Sequence, residues 1–164
     1  MTQINFLAKK KKKKQEKMYF EKINDLVIGK DDKVNPDRKN HMRAAAAEEK
    51  LIINLLSNPD FYKSIKTMIM PEDFMTLFNR RVFTALVDRI ENDIEIDIGC
   101  FNEKFNTDEI GRITHYFVSA KTVSNTLKEC EDCVQVIKDE KEKFKLKSVA
   151  DVSDEEFLNM FRKK

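Results

Sequence analysis

Apolar side chains recur at helical spacing in three consecutive segments between residues 42 and 91. The first segment ends at Asn58-Pro59-Asp60 and the second ends at Pro71, because proline cannot continue a helix from inside it. The third carries the most regular amphipathic pattern of the chain, with apolar residues every three to five positions: Phe78, Val82, Phe83, Leu86, Val87 and Ile90. The spacing predicts three helices folded against one another by two close turns, with the third as the core helix.

A weaker pattern follows the third helix. Ile94, Ile96 and Ile98 alternate with acidic residues, as they would in a β-strand, but the sequence indicates no partner strand. We therefore expect an extended connector that packs its isoleucines into the bundle. After it, Thr107 is predicted to be the N-cap of a further helix that ends near Lys121.

The last forty residues predict a long helix and then a turn. The helix reaches about Lys147 and carries apolar residues at a three-four spacing: Leu127, Cys130, Val134, Ile137 and Phe144. Residues 148–152 predict a turn, since Ser153 and Glu156 then form a capping box that marks the start of a last helix. We predict that these two helices form a hairpin, with Phe144 and Phe157 in its seam.

Together these patterns predict an all-α protein, a compact helical bundle followed by a long helix and a C-terminal helical hairpin. The predicted division places a basic N-terminal segment and linker at 1–42, the bundle at 43–121, and the long helix with its hairpin at 122–164. The composition agrees, because 3 Gly, 3 Pro and 37% charged residues disfavour a turn-rich β fold.

Six consecutive lysines occupy positions 9–14. Such a block of like charge fits two interpretations, a solvated connector or a contact with nucleic-acid phosphates, which needs charge alone. A helix is allowed from about Lys9 to Leu26, and residues 29–40 read as a flexible linker. The candidate phosphate-binding residues are Lys9, Lys10, Lys11, Lys12, Lys13 and Lys14.

The charge is unevenly distributed along the chain. Residues 1–43 carry 13 basic and 6 acidic side chains, a net charge of +7, so the remaining 121 residues carry −5. A mildly acidic folded part favours a protein partner over nucleic acid for that part. No apolar run approaches the roughly 20 residues of a membrane span, and no secretory signal is present, so we expect a cytoplasmic protein.

Candidate catalytic chemistry is sparse. Cys130-x-x-Cys133 could suggest zinc, but a thiolate site needs four ligands, so we interpret the pair as two small apolar side chains in a helix. His115 is interpreted as a residue at the edge of the core, and Glu48-Glu49 as acids that favour a helix start. We assign no catalytic, cofactor-binding or metal-binding residue.

Six short motifs appear in a characteristic order and spacing. They are Ala47-Glu48-Glu49, Leu51-Ile52, Leu55-Leu56, Asn58-Pro59-Asp60, Pro71-Glu72-Asp73-Phe74 and Arg80-Arg81-Val82-Phe83. This order resembles the C-terminal helicase-binding region of bacterial DnaG-type DNA primases, over roughly residues 33–164.

The resemblance implies a domain that docks on the N-terminal domain of the DnaB-type replicative helicase, recruits primase to the replication fork and modulates the helicase. The parent enzyme would be a nucleotidyltransferase whose zinc and magnesium belong to parts other than this chain. By itself the chain is expected to be a monomer without cofactors. Three alternatives remain open, of which the third, a thiol-dependent enzyme, would require an unusually acidic cysteine that a thiol titration would detect.

The first alternative is the N-terminal domain of a DnaB-type helicase, which shares the fold and a motif similar to Pro71-Glu72-Asp73-Phe74. Against it, that domain is followed by a linker and a P-loop ATPase, whereas this sequence ends at Lys164 after a predicted helix. The second is a nucleic-acid-binding accessory protein that acts through the lysine run; a steep salt dependence would distinguish it.

Apolar side chains near the C-terminus are the candidate partner-binding residues. A short hairpin buries few residues of its own, so some of its apolar surface should meet another protein. Leu158, Met160 and Phe161 are expected to contact the helicase. The remaining candidates, which serve either the seam or the partner, are Phe144, Val149 and Phe157.

Overall fold

A computed structural model describes residues 8–17 and 31–162, with the side chains of 151–157 and 160–162 left out of the description. Helix α1 covers residues 8–17. The other helices are α2 (Met42–Ser57), α3 (Phe61–Ile65), α4 (Leu77–Glu91), α5 (Thr107–Thr122) and α6 (Leu127–Arg162). Short 3-10 turns occupy Pro36–Lys39, Pro71–Asp73 and Ile98–Phe101. These ranges contain no strand, which confirms the all-α prediction.

Helix α2 lies at the centre of the bundle. It packs against α4, α5 and α6, and its Leu51, Ile52 and Leu55 are fully buried. Full burial of each such side chain contributes about 1.5–3 kcal/mol. The sequence predicted α4 as the core helix, but α4 supplies one wall of the core, where Phe83 stacks on Phe74 with ring centroids 4.5 Å apart.

The start of α5 differs by one residue from the prediction. Asn106, not Thr107, is the N-cap, and its Oδ1 accepts a hydrogen bond from the backbone N–H of Glu109 at 2.9 Å. The Glu109 carboxylate in turn accepts from the N–H of Asn106 at 3.0 Å. This reciprocal pair satisfies two of the N–H groups that have no partner within the helix.

The connector between α4 and α5 is only partly inserted into the bundle. Asp93 has φ 52°, a left-handed conformation that turns the chain after α4. Ile96 is half-buried against the core, whereas Ile94 is exposed. The expectation that the connector packs all its isoleucines inward is therefore wrong for Ile94.

The predicted C-terminal hairpin is wrong. Residues 127–162 form one continuous helix, with no turn at 148–152. Neither glycine nor proline occurs from residue 112 onward, so nothing in the backbone stops the helix. The hydroxyl of Ser148 donates to the carbonyl of Phe144 at 2.9 Å, which satisfies this polar side chain inside the helix.

The flexible linker predicted at 29–40 is also wrong over the described residues 31–40. Asp32 and Asn35 are buried there, and Arg112 of α5 donates to both carboxylate oxygens of Asp32 at 3.1 Å. A bidentate pair of this kind holds the backbone in one place. The sequence predicts that the N-terminal helix continues to about Leu26, but residues 18–26 lie outside the described part of the chain.

Helices α2 and α6 run antiparallel. The Asn125 amide donates to the carbonyl of Asn54 near the end of α2, and Arg43 at the start of α2 pairs with Glu140 at 3.2 Å. Cys130, Val134 and Ile137 of α6 are buried in the same core as α2. The division of the chain at 42 and 121 stays a prediction. Within the described ranges no helix combines the length and apolar character needed to cross a bilayer.

Candidate docking surface

Helix α6 is much longer than the helix on which it packs. Its 36 residues span about 54 Å, whereas the 16 residues of α2 span about 24 Å. Residues 127–141 include the buried positions, and every side chain from 142 to 150 is exposed. We call residues 142–162 the distal segment of α6. It extends beyond the bundle that covers the rest of the helix.

The apolar stripe of α6 changes face where the distal segment begins. At 100° per residue, Leu146 lies about 180° and Val149 about 120° around the helix from the buried Ile137. Leu146 is 64% exposed and Val149 66% exposed. Because α2 packs on the Ile137 face, it cannot cover these two side chains.

Three basic side chains and one acidic side chain, Glu142, flank this exposed apolar pair. Lys143, Lys145 and Lys147 are all exposed, and Lys143 contacts Glu140 at 3.4 Å. An apolar pair between lysines fits a partner surface that is apolar at its centre and acidic around it. This arrangement can support binding to a protein but supplies no group for covalent chemistry.

The predicted partner-binding residues have different environments. Val149 and Leu158 are exposed, as contact with a partner requires, and Leu158 is 58% exposed. Phe144 packs its ring edge against His41 at the start of α2, with centroids 5.2 Å apart, so it contacts α2 rather than a hairpin seam. Phe157, the other predicted seam residue, has no hairpin in which to pack, and its side chain lies outside the described ones, as do those of Met160 and Phe161.

Leu146 is a surface residue that the sequence reasoning missed. The sequence contains the information to identify it, because Leu146 and Val149 do not lie on the helix face defined by Cys130, Val134 and Ile137. An apolar residue off the buried face of an amphipathic helix is expected to be exposed. The expectation of a hairpin obscured this change of face.

A buried polar cluster holds α2, α4, α5 and the segment before α2 together. Its centre is Glu48, which is 0% exposed and accepts hydrogen bonds from the N–H groups of Met75 and Thr76. Its other oxygen accepts from the Thr76 hydroxyl at 2.6 Å and from the Asn79 amide at 3.2 Å. The cluster comprises Asp32, Asn35, Glu48, Thr76, Asn79, Arg112 and Tyr116.

The role predicted for Glu48 is wrong in one respect. It does not favour the start of its own helix, since it is the seventh residue of α2; instead it caps the start of α4. Asp37 adds a second carboxylate there, 2.9 Å from the N–H of Leu77. Negative charge at a helix N-terminus contributes about 0.3–1 kcal/mol or somewhat more when partly buried.

Burial dominates the electrostatics of the cluster. Desolvation raises the pKa of Glu48 above 4.5, although its four hydrogen bonds act in the opposite direction. Burial likewise raises the pKa of Tyr116, whose hydroxyl donates to Asn79 at 3.0 Å. Since Glu48 is closed to solvent, a substrate cannot reach it. We interpret the cluster as structural.

Cys130 and Cys133 lie in the core, which agrees with their interpretation as apolar side chains. Burial raises the pKa of Cys130 to about 11, and Cys133 contributes to the shift. The thiol therefore stays protonated at neutral pH and is a poor nucleophile. His115 is exposed, so its expected place at the core edge is wrong. The described residues contain no group of three or more His, Cys, Asp or Glu side chains placed to hold a metal ion.

Comparison with known families identifies the bundle. The model of the DnaB-like helicase N-terminal domain matches residues 40–139, well over half of the chain. No curated protein and no solved structure matches the chain significantly. The matched range covers α2 to the buried part of α6 and stops just before the distal segment.

This match overturns the assignment to the primase helicase-binding region. The motifs that carried that resemblance lie in the core and its turns: Leu51, Leu55, Phe74, Val82 and Phe83 are all buried. Such residues encode the bundle, which the helicase domain shares, and do not distinguish the two families. The alternative interpretation is the better one. The chain belongs to the DnaB-like helicase N-terminal domain family.

Proposed function

We propose that this chain is the N-terminal domain of a DnaB-type helicase, a non-catalytic module that contacts a further domain of its own family through the distal segment of α6. Membership of the DnaB-like helicase N-terminal domain family supports a role in DNA replication. The observation that carries the proposal is the exposure of Leu146 and Val149 on a face that the protein's own bundle leaves uncovered.

The chemistry of the surface favours a protein partner. Two neighbouring apolar side chains on a helix can insert into a groove of another helical domain, and burying them excludes water. The lysines around them would set orientation and association rate more than affinity. The partner we propose is the N-terminal domain of a replicative helicase subunit, which belongs to the same family as this chain.

A matched pair of substitutions tests the surface. Val149→Glu places a charge on the distal segment, and Val118→Glu places the same charge on α5, where Val118 is 56% exposed. We expect Val149→Glu to weaken binding to the replicative helicase by about tenfold or more, the scale of an interface hot spot. Isothermal titration calorimetry with the helicase of the same organism measures the affinity.

Val118→Glu is the control, because it should leave affinity unchanged. Both variants should keep the wild-type circular dichroism spectrum, since both side chains are already exposed. Equal affinities of wild type and Val149→Glu would contradict the proposed surface. Gel filtration with light scattering of the chain alone identifies the other outcome, self-association that depends on Val149 without any helicase binding.

A further inference from the structure

Helix α1 presents lysines on all sides. Residues 8–17 form one helix in which every side chain is exposed, and seven of the ten residues are lysines, at positions 9–14 and 17. At 100° per residue these lysines point around the whole circumference. Within 8–17 the only apolar residue is Ala8, so this described stretch offers no apolar face of the kind that membrane-surface helices insert.

The charge density of α1 matches that of a nucleic-acid duplex. Ten residues of helix span about 15 Å, so seven lysines place one charge about every 2 Å. Duplex DNA carries one negative charge about every 1.7 Å of its axis. A helix in the major groove has phosphates on both sides, so lysines on opposite faces can be neutralised together.

Repulsion between the lysine side chains of α1 favours binding to a polyanion. Lysines three or four positions apart, such as Lys9 and Lys13 or Lys10 and Lys14, are neighbours on the helix surface and destabilise it. Glu16 is the only acidic residue within 8–17. Phosphates that neutralise these charges therefore stabilise the helical form.

We infer that α1 binds duplex nucleic acid through its lysine side chains, by contacts with phosphates and without base preference. Lysine ammonium groups act as point charges, and α1 contains none of the arginine, asparagine or aromatic side chains that commonly read bases. This inference is independent of the docking surface on α6. It assigns DNA contact to α1 and leaves the acidic remainder of the chain to contact protein.

The test uses the full chain and a fluorescein-labelled 20-base-pair duplex of arbitrary sequence, with anisotropy measured between 50 and 200 mM NaCl. We expect log affinity to fall with log salt at a slope of about −4 to −6, as four to seven phosphate contacts require. The triple substitution Lys10→Gln, Lys12→Gln, Lys14→Gln should make this slope shallower by up to about 3. A second duplex of unrelated sequence should bind equally well.

A matched control removes three exposed lysines from the bundle. The control changes one lysine at the C-cap of α3, one in α5 and one in α6 to Gln: Lys66, Lys121 and Lys128. It alters the net charge by the same amount as the triple substitution in α1. The control should keep both affinity and slope. Equal losses in the two triple variants would overturn the inference, because net charge alone would then explain binding. Tighter binding to the isolated single strand than to the duplex, or binding to anionic lipid vesicles without binding to the duplex, would overturn it as well.

Discussion

Glu48 is a carboxylate in the interior whose hydrogen-bond donors are neutral groups of α4 and the residues just before it. Removing a charged carboxylate from water is costly, and desolvation accordingly raises the pKa of Glu48. Its folded form therefore binds a proton more readily than its unfolded form. Glu48, which connects four segments of the chain, therefore also makes the free energy of unfolding depend on pH.

The first prediction concerns this pH dependence. Between pH 4.5 and the higher pKa of the folded state, the folded protein holds more protons, so the free energy of unfolding should fall as pH rises through that window. Glu48→Gln should abolish this fall. Urea denaturation at a series of pH values measures it, and an unchanged pH profile in Glu48→Gln would show that Glu48 is not the source.

Glu48→Ala provides the comparison for that experiment. Alanine leaves the Thr76 and Asn79 donors buried without their acceptor, which costs about 1–3 kcal/mol for each unsatisfied group. We expect this variant to be destabilised at every pH, by more than Glu48→Gln. Similar stability of the two variants would contradict the capping role.

The second prediction concerns Lys141, which occupies a position of α6 where the apolar spacing favours a hydrophobic residue. Its Nζ lies 2.9 Å from Asp73 Oδ1 and 2.9 Å from the carbonyl of Glu72. Burial alone would raise the pKa of Asp73, but the hydrogen bonds from Lys141 and the Met70 N–H outweigh it and lower the pKa below 3.8.

This contact therefore stabilises the fold above about pH 3.8 and is lost as pH falls through the lowered pKa of Asp73. Lys141→Met keeps the aliphatic stem and removes the charge. We expect it to cost about 0.5–1.5 kcal/mol at neutral pH and to cost less as pH falls through the lowered pKa of Asp73. Thermal denaturation at pH 7 and at a series of lower pH values measures the difference, and a loss that does not change with pH would contradict the ion pair.

At the scale of the element, α6 combines two roles in one helix. Its first part packs Cys130, Val134 and Ile137 into the core, and its distal segment carries exposed side chains at residues 142–150. Helices gain most of their stability from packing of an apolar face. The distal segment lacks that support from the bundle and is expected to open more readily than the first part.

The third prediction follows from this difference in support. In hydrogen exchange followed by mass spectrometry, amides of residues 130–138 should exchange slowly, near the rate set by global unfolding, because they lie in the core. Amides of residues 143–150 should exchange faster by at least about tenfold. Addition of the helicase should slow the second group, and equal protection of both groups in the free chain would contradict an uncovered distal segment.

The fourth prediction tests the continuity of α6. Val149→Pro removes a backbone N–H and clashes with the carbonyl one turn earlier, at a local cost of about 3 kcal/mol. We expect lower helical ellipticity at 222 nm, an unchanged melting temperature of the bundle and loss of helicase binding. Val149→Ala is the control that keeps the helix, and a lowered melting temperature in Val149→Pro would mean that the distal segment supports the bundle.

At the scale of the whole molecule, two proposed surfaces lie at different parts of the chain. Helix α1 is strongly basic, whereas residues 44–164 carry a net charge of −5. Sites without shared contacts contribute independently to binding. A chain with this arrangement could hold DNA and a helicase subunit at once.

The fifth prediction is that the two surfaces are separable. The lysine substitutions in α1 should weaken duplex binding and leave helicase affinity within about twofold, and Val149→Glu should do the reverse. Anisotropy and calorimetry on the same protein preparations measure both. Loss of both activities in either variant would indicate a single shared surface.

The sequence by itself determined α2 to α5 and most of their core, since proline and apolar spacing act locally and leave little choice of structure. The motifs could not distinguish the two families. Buried residues such as Leu51 and Phe83 determine how the bundle packs and carry no information about its partner. The family match to residues 40–139 resolved that ambiguity.

Only the tertiary structure showed that α6 is one continuous helix, that residues 31–40 are held against the bundle, and which groups Glu48 contacts. A capping box at Ser153 stabilises a helix start by about 0.5–2 kcal/mol, but a turn also needs a break in the preceding helix and a seam to pack against. The partners of Asp32 and Glu48 lie 80 and 28 positions away along the chain. Local spacing cannot reveal such contacts, because folding brings these residues together only when the whole bundle forms.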